Sequence, residues 1–183
     1  LAGQLDRLQP MMTRPVKRRV ALYENAGELG VMEAVRALLG AVPGLEIVEI
    51  ETSSIGYTSA VLAPFGSYHR DTVAGVLRDA EAAGVDTLVG IYHNDHRDFS
   101  GLEGEWPFSF ANYMELVGES MALAEPDRFK ELKLMRDADA ILAASKALIE
   151  AHGLDPELVR DVVVEDLLGG QALPVERASH PAK

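Results

Sequence analysis

The sequence predicts an α/β fold, with a small parallel sheet of three or more strands, flanking helices and a helical C-terminal extension. Two observations lead to this class. Over the first 92 residues, short apolar segments alternate with longer segments of helical periodicity, an order that gives parallel strands joined by right-handed crossovers. From residue 112 onward, the apolar spacing is helical almost throughout.

Three segments have the length and composition of buried strands. Residues 19–24 and 87–92 are short, apolar runs bounded by polar residues, and residues 45–50 alternate apolar and acidic side chains. Because ligands in parallel sheets bind beyond the carboxyl ends of the strands, we expect a site near the residues that follow these three segments.

The helices follow from apolar spacing and from capping residues. A helix is predicted after Gly30, another over 68–83, and a third over 112–122. The C-terminal extension is predicted to hold one or two helices over 126–151, with a break near Asp137, and a last helix over 156–168. Asp155 is the predicted N-cap of that last helix, and Pro156 suits its first turn.

These elements divide the chain into four parts. Residues 1–18 are interpreted as an N-terminal extension or linker, and 19–122 as the α/β domain. Residues 123–171 form the predicted helical extension, and 172–183 are expected to be a flexible tail.

Composition excludes several classes of function. The formal net charge of -12 argues against sequence-independent nucleic-acid binding, which needs dense Lys and Arg. No run approaches the ~20 apolar residues of a membrane span, so a cytoplasmic protein is the expectation. The chain has no cysteine, which excludes disulfides, cysteinyl nucleophiles and thiolate-bound iron–sulfur clusters.

A dense polar cluster follows the third predicted strand, at residues 92–98. His93 and His96 are three residues apart, so one helical turn brings them to the same face, and Asp95 adds a carboxylate. Imidazole and carboxylate are competent ligands for zinc or another divalent metal. Further ligands would come from other segments, with His69, Glu24 and Glu51 as candidates. The alternative is a hydrogen-bonded loop without metal.

Several stretches of the first two thirds of the chain also match the pattern of one known family. The family's turn after strand one corresponds to residues 23–26, and its helix start to 30–34. Its Pro-Gly strand corresponds to 42–49, its Ala-Gly-x-Asp element to 83–86, and its Cys-x-x-Cys-His turn to 92–96. Its helical tail corresponds to 107–108 and 112–119. On these residues, the chain resembles the cysteine-rich CCG domain of heterodisulfide reductases and of glycolate oxidase iron–sulfur subunits, and it is most similar to the second of the two such domains that these proteins carry.

The resemblance implies a pocket whose ligands have been lost. Its positions fall on Asn25, Ser53, Ser54 and Tyr92, and Asp95 stands at a further cysteine position. Iron–sulfur clusters are held by soft thiolates, whereas hydroxyl and carboxylate oxygens are hard ligands. The resemblance therefore implies a family member without a cluster.

Three functions remain open. The first is a subunit or docking domain of a heterodisulfide-reductase-like electron-transfer assembly, in which an acidic surface helps the domain to bind a redox protein partner. The second is a metal- or small-molecule-binding enzyme that uses the family pocket around His93, Asp95 and His96. The third is a scaffold dimer without chemistry. Whether the chain is an enzyme is left open by the sequence, and an enzyme of this family would be an oxidoreductase subunit.

Overall fold

A four-stranded, wholly parallel sheet forms the centre of the molecule. The computed structural model describes residues 2–24, 28–51, 63–171 and 173–180. The strands stand in the order β2-β1-β3-β4. They are β1 Arg19–Leu22, β2 Glu46–Ile47, β3 Thr87–Gly90 and β4 Ser109–Asn112. The predicted α/β class with a parallel sheet and a helical C-terminal region is confirmed.

The helices cover both faces of this sheet and then continue as a helical C-terminal region. A π-helical turn, Val163–Leu168, follows the last α-helix directly. The α-helices are α1 Leu5–Leu8, α2 Val31–Gly40, α3 Ser67–Ala82, α4 His93–Ser100, α5 Tyr113–Ser120, α6 Arg128–Met135, α7 Ala138–Ala151 and α8 Pro156–Val162.

Alternating side chains of the central strands build two cores. Val20 and Leu22 point into a core shared with α2 and α5, whereas Ala21 and Tyr23 point into a core shared with α3. The two-residue period of a strand produces this division. Strands β1 and β3 are buried on both faces, which explains why their sequences read as continuous apolar runs.

The strand β4 is the one element of the sheet that the sequence pattern did not indicate. Its four residues, Ser109–Asn112, lie directly before α5 and carry two polar ends, so no period is visible. No strand was predicted here, and residue 112 was placed in the next helix. Pairing with β3 over Thr87–Gly90 and Ser109–Asn112 supplies the strand, so tertiary contact rather than local pattern fixes it.

The outward edge of β4 is closed by side chains. The backbone N–H of Phe110 donates to Glu103 Oε2 at 2.9 Å, and the Phe110 carbonyl accepts from Lys130 Nζ at 2.9 Å. Lys130 and Glu103 pair with each other at 3.1 Å. An ion pair therefore occupies the backbone groups through which a further strand would bind.

The segments before and after the domain contact the core. Met12 and Val16, which lie in the part interpreted as an extension or linker, are buried beside α2 and α5. At the other end, Leu173 joins the α3 core, and the ring of His180 packs edge-on against Trp106 with 5.6 Å between centroids. Leu173 and His180, which lie in the segment predicted to be a flexible tail, are thus buried against the domain.

The helical region follows the predicted divisions. The break near Asp137 separates α6 from α7, and Asp155 caps α8 by accepting from the Glu157 N–H at 3.0 Å. Among the described residues, none of the helices is both long enough and apolar enough to span a bilayer.

Candidate metal centre

His96, Glu115 and Asp127 meet at the carboxyl edge of the sheet. His96 lies on α4, which begins just after β3, and Glu115 lies on α5, which begins just after β4. Because β3 and β4 are neighbouring parallel strands, the helices that follow them start side by side. Asp127 comes from the turn that leads into α6, so three separate elements supply the three side chains.

Local capping holds both carboxylates in place. Glu115 is the third residue of α5, and its Oε1 accepts from the Asn112 N–H at 2.7 Å, as in a capping box. Asp127 is the N-cap of α6, and its Oδ1 accepts from the Lys130 N–H at 3.0 Å. In each carboxylate, therefore, only one of the two oxygens accepts the capping hydrogen bond.

The imidazole of His96 lies between the two carboxylates. Its Nε2 is 2.6 Å from Asp127 Oδ2, and its Nδ1 is 3.6 Å from Glu115 Oε1. One nitrogen and one oxygen from each carboxylate all lie within 4.8 Å of one another. Among the described residues, no other group of three or more His, Asp or Glu side chains has ligand atoms close enough together to hold a metal ion.

Two polar atoms of the group are buried without a hydrogen bond. His96 is only 8% exposed, and neither its Nδ1 nor Asp127 Oδ2 makes a hydrogen bond in the described part of the chain. Asp127 Oδ2 nonetheless lies in close contact with the ring, 2.6 Å from His96 Nε2. Because an unpartnered buried polar group costs about 1–3 kcal/mol, an additional partner for these atoms would stabilise the fold.

A cleft of about 580 Å³ opens beside the group. Glu115 and Asp127 line it, together with the apolar side chains of Phe110, Met114 and Leu123. The volume is in the range of small-molecule sites. A ligand bound in this cleft would contact the two carboxylates directly.

The donor set fits a borderline divalent metal such as zinc. Zinc binds imidazole nitrogen and carboxylate oxygen at about 2.0–2.2 Å, and catalytic zinc sites have three protein ligands with one open position. Tetrahedral geometry at those lengths separates neighbouring ligand atoms by about 3.3 Å. Because Nε2 faces Asp127 and Nδ1 faces Glu115, a single ion could bind only one ring nitrogen, and the side chains would have to shift for both carboxylates to reach it.

The structure places the predicted metal residues in three different environments. His96 is in the cluster, whereas His93 is exposed at the first position of α4. Asp95 is fully buried, and its Oδ2 accepts from the Tyr92 N–H at 3.1 Å, which makes it a helix-capping residue. A helical turn presents His93 and His96 on adjacent parts of one face, but the neighbouring elements cover only His96.

The other predicted site residues lie outside the cluster or outside the described residues. Asn25, Ser53 and Ser54 fall outside the described ranges. Tyr92 is half-buried beside the start of α4. Burial, and then the charges of Glu28 and Asp95, raise the pKa of the Tyr92 phenol above its ordinary value, so it stays protonated at neutral pH.

The additional ligands proposed for the pocket are also placed elsewhere. Glu24 pairs with Arg36, which also holds Glu49 at 2.6 Å. Burial lowers the pKa of His69, and the nearby Asp95 partly offsets that effect. Glu51 is exposed. These three side chains are separate from the group formed by His96, Glu115 and Asp127.

Sequence reasoning missed Glu115 and Asp127. Glu115 had one recognisable signal. It stands three residues after Asn112, and this Asn–Glu spacing, directly after an apolar segment, is a capping-box pattern. Asp127 had the weaker signal of an N-cap after Pro126. Neither signal predicts proximity to His96, which depends on the pairing of β3 with β4.

Comparison of the chain with protein-family models, with curated proteins and with solved structures gave no match.

Proposed function

We propose that this protein binds a divalent metal ion, zinc in the first instance, through His96, Glu115 and Asp127. We further propose that it acts as a metal-dependent enzyme on a small molecule in the adjoining cleft. The observation that carries the proposal is the buried imidazole of His96 in close contact with two carboxylates, with His96 Nδ1 and Asp127 Oδ2 buried without a hydrogen bond.

The arrangement has the features of an open metal site. Three protein ligands leave a fourth position, and Glu115 and Asp127 both line the cleft. An ion bound there would polarise an oxygen of the ligand in the cleft or activate a water molecule. Lys130 lines the same cleft, but it already contacts Glu103 and the Phe110 carbonyl, so its charge is compensated.

Calorimetric titration with zinc chloride at pH 7 tests the ligand set. The parent should bind one ion per chain, and His96→Ala should weaken binding by well over tenfold, because even outer-shell changes cost about 10–100-fold. Asp127→Asn should weaken it similarly while it preserves the helix cap, since asparagine caps as well as aspartate. His93→Ala is the matched control, and its affinity should equal that of the parent.

The outcomes separate the metal proposal from a simple ion pair. A parent that binds no zinc, or a His96→Ala variant that binds it as tightly as the parent, would contradict the proposal.

A second candidate is the role implied by the family resemblance, a cluster-free docking subunit of an electron-transfer assembly. The observation that favours it is a set of exposed apolar side chains in the helical region, Leu148, Leu154 and Leu158, each more than half exposed. Such side chains in a chain of net charge -12 suit contact with a protein partner.

Stable association with a purified iron–sulfur protein, abolished in Leu154→Asp/Leu158→Asp, would support this role. Equal association of the variant would contradict it.

A further inference from the structure

We infer that a second site, distinct from the metal centre, binds an aliphatic molecule with a carboxylate head group. It is a groove of about 480 Å³ between α4, α6 and the π-helical turn. This volume lies within the range of small-molecule sites, and such sites often form where two structural units meet.

The walls of the groove are apolar. Phe129 and Leu132 come from α6, Val162 from the end of α8, and Val163 and Leu167 from the π-helical turn. Val162 is half exposed, so the groove is open to solvent along this side. An apolar chain placed here would cover these side chains and remove them from water.

One wall of the groove carries the polar groups. His93 and Arg97 are four residues apart on α4 and therefore share a face. In the part of the chain that the structure describes, Arg97 makes no ion pair, and its Nη2 has only a long contact of 3.4 Å with the Asp166 carbonyl. A guanidinium presents several parallel donors that match a carboxylate in two-point geometry.

The π-helical turn is an independent indication of a binding site. Turns of this kind are rare among residues of globular proteins and occur frequently at functional sites. The two residues after the turn pack too closely against its backbone to carry a side chain. A methyl group on Gly169 would lie 2.7 Å from the Val164 carbonyl oxygen, and one on Gly170 would lie 2.5 Å from the Asp166 carbonyl oxygen. The turn presents Val163, Asp166 and Leu167 to the groove.

The carboxylate of Asp166 also lines the groove, so it would repel an anionic ligand. The net charge of -12 adds repulsion at long range, but salt screens that field beyond about 8 Å. The local charges of Arg97 and Asp166 therefore decide the preference of the groove. It follows that removal of the Asp166 charge should strengthen binding, and removal of the Arg97 charge should weaken it.

Phe129 lines this groove and lies near the metal centre. Its ring centroid lies 6.4 Å from that of His93 and 6.2 Å from that of His96. Phe129 is thus close to both histidines, one of which lines the groove and the other of which belongs to the metal centre. Binding in the groove does not require metal, so it can be tested independently of the proposed function.

The test is calorimetric or NMR titration of the full chain with decanoate, decanol and decyltrimethylammonium. The two ionic compounds are kept below their critical micelle concentrations, and decanol is kept below its solubility limit. We expect decanoate to bind one per chain and at least about tenfold more tightly than the other two, since hydrogen bonds to charged groups discriminate by that much. Absence of decanoate binding, or equal binding of all three compounds, would overturn the inference.

Three variants locate the site. Arg97→Gln should reduce decanoate affinity to the level of decanol, Asp166→Asn should increase it, and Val162→Glu should abolish it. Val162 is half exposed, so its substitution removes little core packing. Unchanged decanoate affinity in both Arg97→Gln and Val162→Glu would overturn the inference, because the compound would then bind elsewhere. None of these variants should alter zinc binding.

Discussion

At the scale of single residues, two histidines are buried apart from the cluster of His96. His69 and His180 are each 3% exposed. Burial is the main cause that lowers the pKa of both. Asp95 partly offsets it for His69, and the contact with the Pro174 carbonyl at 2.8 Å partly offsets it for His180. Both rings are therefore neutral in the folded state at neutral pH.

This burial predicts a loss of stability in mild acid. The unfolded chain takes up a proton on each histidine near pH ~6.5, whereas the folded chain resists it, so the free energy of unfolding decreases as the pH falls below that value. The limit is about 1.4 kcal/mol per pH unit for each histidine. Guanidinium unfolding at pH values about one unit above and one unit below that point measures the decrease.

His69→Gln provides the comparison for this prediction. Glutamine does not titrate, so the difference in unfolding free energy between the higher and the lower pH should be smaller in the variant than in the parent. The interpretation fails if the two proteins lose the same free energy over this interval, because His69 would then not contribute to the acid sensitivity.

At the scale of elements, helix caps determine where the C-terminal region changes direction. Asp137 accepts from the Ala140 N–H at 2.8 Å and begins α7 one residue after Arg136, whose φ of 53° ends α6. Asp137→Ala should lower the free energy of unfolding by about 1 kcal/mol, as N-cap removal typically does. Asp137→Asn should be nearly neutral. Thermal unfolding of the three proteins tests this, and equal stability of all three would contradict it.

Some of these elements could be predicted from the local sequence pattern, and others could not. Strands β1 and β3 were predicted because their buried side chains are apolar on both faces, and the break at Asp137 was predicted from its capping residue. Strand β4 and the partners of His96 were not, because they depend on contacts between distant segments: Glu115 and Asp127 lie 19 and 31 residues after His96. Local pattern carries no information about such pairings.

At the scale of the whole molecule, the C-terminal segment covers the single tryptophan of the chain. Trp106 is buried beneath the ring of His180 and the guanidinium of Arg177, which lies 5.4 Å from its ring centroid. Removal of residues 172–183 should expose the indole, shift its fluorescence to longer wavelength and lower the melting temperature. If the emission of the shortened chain matches that of the full chain, this packing is not formed in solution.

The ion pair on the outer strand has a consequence for how the protein behaves when it is concentrated. An open sheet can recruit a strand from another molecule and grow into an aggregate, and charged side chains at an edge suppress that growth. Glu103 and Lys130 occupy the amide and carbonyl of Phe110, and on the opposite side β2 offers only two residues, Glu46–Ile47.

Glu103→Ala/Lys130→Ala should therefore form species of high molecular weight that bind thioflavin under conditions where the parent stays dispersed. Lys146→Ala, which removes an exposed lysine of α7, should behave as the parent does. Equal dispersion of the double variant would mean that the short strands alone keep these molecules apart.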